Sequence, residues 1–266
     1  MDYSSGLEYV VSSGQSSSYS KNNYSAIDYL LKSVDDNYSF KSNAAIVFNS
    51  PYTGVSSRKM NYVKQNEYLA SYSFDHNFAP QVFLNPARPS ARFAVDKYEA
   101  RDLAEETFEL MMGEKLPEDI CINVLPLPEF KMVHSLFGSW SNGILGFSLN
   151  GTRKEIFVRE NNLDELIIVI GHEIGHVFTP TLPNKHDEEA KAFAFSIEWA
   201  RTIKKHNIAN LGLSIKDELD FTPAKNGLHD VAFEFVNIIT RKGRKSIDLH
   251  NDLVKKYISI FNSNYI

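Results

Sequence analysis

Two histidines one helical turn apart, His172 and His176, carry the clearest chemistry in this chain. They belong to His172-Glu173-Ile174-Gly175-His176, set inside the apolar run 166–178. On a helix, residues four apart share a face, so both imidazoles can grip one divalent ion. Glu173 follows the first histidine and can reach a water on that ion, which the metal has made acidic. Two ligands, an acidified water and a carboxylate to take its proton are the parts of a hydrolytic site. The plain alternative is a coincidence on a core helix. A buried glutamate beside two histidines on an aliphatic face is costly unless a metal or other partners accompany it.

A tetrahedral zinc held by two histidines and a water lacks one ligand. The longer motif that supplies a third histidine would need glycine at 179 and histidine at 182, where Thr179 and Leu182 stand. Downstream, His186-Asp187-Glu188-Glu189-Ala190 opens a second helical stretch running to about His206. Asp187, Glu188 and Glu189 all compete for the vacant position. A helix cannot turn adjacent positions to one point, so the rivals become first-turn acids or partners behind a histidine. This region resembles the gluzincins, whose second helix supplies a glutamate as third ligand. It is most similar to the branch with an E-A-x-x-F-A signature, the ImmA/IrrE-like peptidases and the archaeal minigluzincins. Glu189-Ala190 and Phe193-Ala194 make that match. The resemblance implies Zn2+ on His172, His176 and Glu189, with Glu173 as general base and a peptide or protein as substrate. It covers roughly residues 95–206. At Phe193 the chain departs from the thermolysin-like pattern, where an aspartate often orients a ligand histidine.

The elements around the motif have the order such a site needs. Asp164 and Glu165 put negative charge in the first turn of the motif helix, with Asn162 or Asp164 as its cap. Pro180 and Pro183 close it, and 179–185 is a loop that turns the chain into an antiparallel second helix. Gly175 costs about 1 kcal/mol of helix propensity relative to alanine, which is acceptable if another backbone passes close there. Upstream, 96–112 has helical spacing and Gly113 at a C-cap position. Residues 120–125 form a strand stopped by Pro126 and Pro128. Strands 144–149 and 155–158 flank Asn150-Gly151, a hairpin turn signal. The segment 143–149 is either an edge strand that pairs with extended substrate or an interior strand with a glycine bulge. His229 opens a predicted helix 228–240. It is either the donor to the oxyanion of a tetrahedral intermediate or a loop histidine capping that helix. A last amphipathic helix is predicted over 246–262. His76, His134, His206 and His250 have no neighbours that suggest chemistry.

The expected fold is α+β and zincin-like, a small, mostly antiparallel sheet over the active-site helix with a helical C-terminal subdomain. Residues 1–25 read as a flexible segment, 26–95 as an extension that could serve as prosegment or lid, and 96–266 as the peptidase domain. Within the extension, 26–34 has helical and 44–49 strand character. A 266-residue chain with 43% apolar residues can build a real core. No run of about eighteen apolar residues exists, so no membrane partner is expected. A net charge of −5 argues against nucleic acid as a partner. Cys121 is the one cysteine, and an apolar strand makes it a small buried residue rather than half of a disulfide. With no secretory pattern at the start, a cytoplasmic protein is expected.

Overall fold

The computed structural model describes residues 78–94, 96–151, 153–219 and 227–261. By its contacts the chain divides after Gln65, and every described residue belongs to the unit Asn66–Ile266. The readings of 1–25, 26–34 and 44–49 lie outside the described residues, as does His76.

Helix α1 (Lys97–Met112) begins where the Asp96 carboxylate accepts the Tyr98 N–H at 2.8 Å. It ends at Gly113, left-handed at φ 74°. Ala100, Ala104, Thr107 and Phe108 make its buried stripe. Strand β2 (Ile120–Leu125) follows, then a short helix α2 (Leu127–His134). The hairpin of β3 (Gly146–Asn150) and β4 (Lys154–Arg159) turns at the expected Asn150-Gly151. The strand order is β2-β4-β3.

This sheet corrects the expectation of a mostly antiparallel one. It is mixed: β3 runs antiparallel to β4, but β2 runs parallel to it. A long connection carrying α2 and β3 joins β2 to β4, as a parallel pair requires. A separate two-stranded ladder pairs β1 (Phe93–Ala94) with β5 (Asn161–Asn162) antiparallel. On β2, Ile120 and Ile122 are buried and Cys121 alternates to the other face, partly buried, with Arg153 Nη2 2.7 Å from its sulfur. The fully buried cysteine expected from the apolar strand is not found.

The motif helix α3 (Leu163–Val177) packs against β3 and β4. Asn162 makes no side-chain cap; Asp164 Oδ1 instead accepts the Glu165 N–H at 2.9 Å. Arg88 braces this first turn, with Nε 2.5 Å from Asp164 and Nη2 3.0 Å from Glu165. Helix α4 (Lys185–His206) is capped by Asn184, whose Oδ1 accepts the His186 N–H at 2.9 Å. The two helices meet at Gly175, where an added Cβ would stand 2.9 Å from the Ala192 Cα. The predicted close passage of backbone at Gly175 is therefore present, and glycine is what permits it.

Helices α5 (His229–Arg241) and α6 (Ser246–Val254) pack on α4. The last helix is shorter than the predicted 246–262. Lys256 turns left-handed at φ 58°, and the chain leaves the helix there. One apolar cluster runs through β2, α1, α3, α4, α5 and α6. The architecture is mixed α+β, and among the described residues no helix is long and apolar enough to cross a membrane.

Candidate metal centre

The three acids that competed for the metal point three ways. Asp187 turns to the C-terminal segment, accepting from Ser259 Oγ and the Ile260 N–H, both at 2.8 Å. Glu188 turns back to α3, where one oxygen lies 2.9 Å from His176 Nδ1 and the other takes the Leu182 N–H at 2.7 Å. Glu189 faces the gap between the helices, with Oε2 3.6 Å from His172 Nε2 and 3.7 Å from His176 Nε2. The two Nε2 atoms are 3.3 Å apart. One atom from each of His172, His176 and Glu189 falls inside a cluster 4.8 Å across.

Both rings are held from behind. The Ser196 hydroxyl donates to Ala192 O at 2.7 Å, so its oxygen accepts from His172 Nδ1–H at 3.2 Å. The Glu188 carboxylate accepts from His176 Nδ1–H in the same way. Those bonds orient the rings and turn both Nε2 atoms toward Glu189. Two imidazole nitrogens and a carboxylate oxygen, converging between the helices, fit a divalent metal ion. The sequence could have shown Ser196: it lies seven residues after Glu189, on the same face two turns along.

Glu173 lies under β3 and is hydrogen-bonded by the Ser148 hydroxyl. Gly146 makes room for it, since a Cβ there would sit 3.1 Å from Glu173 Oε1 and 2.5 Å from Val169 Cγ1. The glycine of the candidate edge strand thus serves the helix beneath it, and β3 does lie at the sheet's edge. His229, at the first position of α5, is buried with Nε2 3.2 Å from Glu189 Oε2. The start of α5 has no side-chain cap, so the capping role foreseen for this histidine is not found. All five residues singled out in the sequence, His172, Glu173, His176, Glu189 and His229, meet in one place.

Burial sets the charges. It pushes the Glu173 carboxyl up to about 7 and the His172 imidazole down to about 3. Burial also opposes charge on His176, but the carboxylates of Glu189 and Glu188 outweigh it and raise that ring to about 9. With no metal among them, the acids hold a proton on His176. The site is shielded except at His176, whose side chain is 16% exposed. His172, Glu173, Glu189 and His229 are each less than 5% exposed. The Phe78 ring stacks on His172 with centroids 4.0 Å apart. His134 and His250 are buried elsewhere, the first beside Phe147 and the second against Lys191 O. Comparison with protein-family models, with curated proteins and with solved structures finds no match for this chain.

Proposed function

We propose that this protein is a zinc-dependent peptidase of gluzincin type with a zincin-like fold. The observation that carries the reading is the convergence of two Nε2 atoms, each fixed through its Nδ1, on one glutamate oxygen. Bound there, Zn2+ supplies a Lewis acid that acidifies water and polarises a carbonyl. Glu173 accepts the proton of the attacking water and returns it to the leaving amine. His229 donates to the carbonyl oxygen as charge gathers on it. The edge strand β3 holds an extended peptide by backbone pairing, so recognition depends little on side chains.

Metal analysis of the purified protein tests the centre, with His172→Ala and Glu189→Ala expected to lose the ion. Wild type against Glu173→Gln tests the chemistry, with self-cleavage and peptide turnover as readouts. A second reading is a regulatory module that keeps the metal without turnover. The burial of His172 and Glu189 and the ring of Phe78 over His172 favour it. Stoichiometric zinc with no difference between wild type and Glu173→Gln on any peptide would leave the module or a covered enzyme. Phe78→Ala separates a covered enzyme from a silent one, since only the former gains turnover.

A further inference from the structure

Helix α3 ends at Val177, one residue after its second histidine. The last carbonyls of a helix have no intrahelical donor, so this turn frays unless something holds it. Lys191 lies across that end. Its side chain is fully buried, and Nζ donates to His176 O at 3.1 Å and Pro180 O at 3.2 Å. It also stands 2.9 Å from Glu188 Oε1, the oxygen that accepts from His176 Nδ1–H. An ammonium has three protons to give, and here the carbonyls of His176 and Pro180 and the carboxylate of Glu188 take them.

We propose that Lys191 is a positioning residue of the metal centre, fixing His176 by its backbone and, through Glu188, by its ring. This deepens the metal-binding reading above and rests on it. Three residues apart on α4, Glu188 and Lys191 share the face turned to α3. A cation at the C-terminus of α3 is favourable in itself, and a buried lysine needs partners of this kind. Asn150 supplies a second brace from the β3–β4 turn. Its Nδ2 donates to His176 O at 3.3 Å, to Thr179 O at 2.9 Å and to Thr181 Oγ1 at 3.1 Å. It therefore separates support of the helix end from support of the imidazole.

The test follows release of Zn2+ from the loaded protein to excess chelator, with His172→Ala as baseline. A wild type that holds no more metal than His172→Ala defeats the metal centre itself, whatever Lys191 does. With the wild-type site intact, Lys191→Met and Glu188→Gln should each release zinc about 10- to 100-fold faster. The double variant should release zinc more slowly than the product of the two single effects, because the Lys191–Glu188 contact is common to both while the bond to His176 O is lost only with Lys191. Both should alter the visible spectrum of the Co2+-substituted protein, and Asn150→Ala should leave that spectrum unchanged while lowering Tm. A folded Lys191→Met with wild-type release and an unchanged cobalt spectrum overturns the proposal. So do single effects that multiply in full in the double variant. If Lys191→Met does not fold, Lys191→Gln decides, since it keeps donors for the carbonyls but no charge for Glu188. Faster release from it supports the proposal and wild-type release overturns it. Failure of both to fold without metal also overturns it, because the role is then structural.

Discussion

Asp187, Glu188 and Glu189 are chemically near-identical, yet each has a different task because a helix rotates about 100° per residue. Their fates should separate on mutation. Glu189→Ala should abolish stoichiometric zinc, and Glu188→Ala should weaken it about 10- to 100-fold. Asp187→Ala should leave metal content intact and lower Tm, because that carboxylate ties down Ser259 and Ile260. Atomic absorption and a thermal melt on the three variants check this; zinc lost equally from all three would refute it. Proton competition gives a further expectation. In the metal-free protein His176 is raised to about 9, so below that pH it carries a proton that a metal must displace. Zinc affinity should then rise about tenfold per pH unit between pH 6 and 8. A flat profile in competition titrations would show that His176 is already neutral. The spacing of His172, Glu173 and His176 made the two facing imidazoles and the neighbouring carboxylate legible in the sequence. The choice among three adjacent acids was not legible from spacing, because nothing local tells which way α4 is rotated. Ser148 and Phe78 escaped notice because they reach the site from other elements.

The contact between α3 and α4 is set by glycines. At Gly175 a methyl group would press on the Ala192 backbone, and at Gly171 it would meet the Trp199 ring at 2.4 Å. Gly175→Ala gains about 1 kcal/mol of helix propensity but must force apart two packed backbones. A net loss of about 1–3 kcal/mol is expected in urea unfolding, with weaker zinc binding. A stabilised Gly175→Ala would mean that the helices have slack. Strands β2, β3 and β4, and helices α1, α3 and α4, lie within a few residues of their sequence-based positions. Helix α2 was missed because Pro126 and Pro128 read as a stop. Proline in a first turn sacrifices no hydrogen bond, so the same residues also fit a helix start. The last helix was drawn too long because Tyr257, Ile258, Ile260 and Phe261 continue an apolar pattern. That pattern carries no trace of the left-handed turn at Lys256.

At the scale of the molecule, a metal at the proposed centre would be linked to the fold. A ligand that binds only the native state adds stability, about 2.7 kcal/mol at a hundredfold excess over Kd. Zinc should therefore raise the melting temperature of wild type and leave His172→Ala where it was. Equal shifts would place the ion elsewhere. The α+β class was legible because long helical periods and short apolar strands alternate along the chain. The parallel direction of β2 was not, since periodicity says nothing about which way a strand runs. Nor did the sequence reveal that the stretch from Phe78 to Ala94 lies along α3, with Phe78 on His172, Arg88 on Asp164 and Phe93 opposite Asn162.

The backbone-on-backbone seam between α3 and α4 limits how this pocket can breathe. Close packing of backbone on backbone at Gly175, and of Gly171 on the Trp199 ring, should resist sliding of the helices and keep the three side chains together. In the proposed peptidase, space for a substrate should come from the stacked ring of Phe78 or from the first turn of α5. Deuterium uptake should report this order of opening. Amides near 78–84 and 227–232 should exchange long before the interior of α3, which waits for global unfolding.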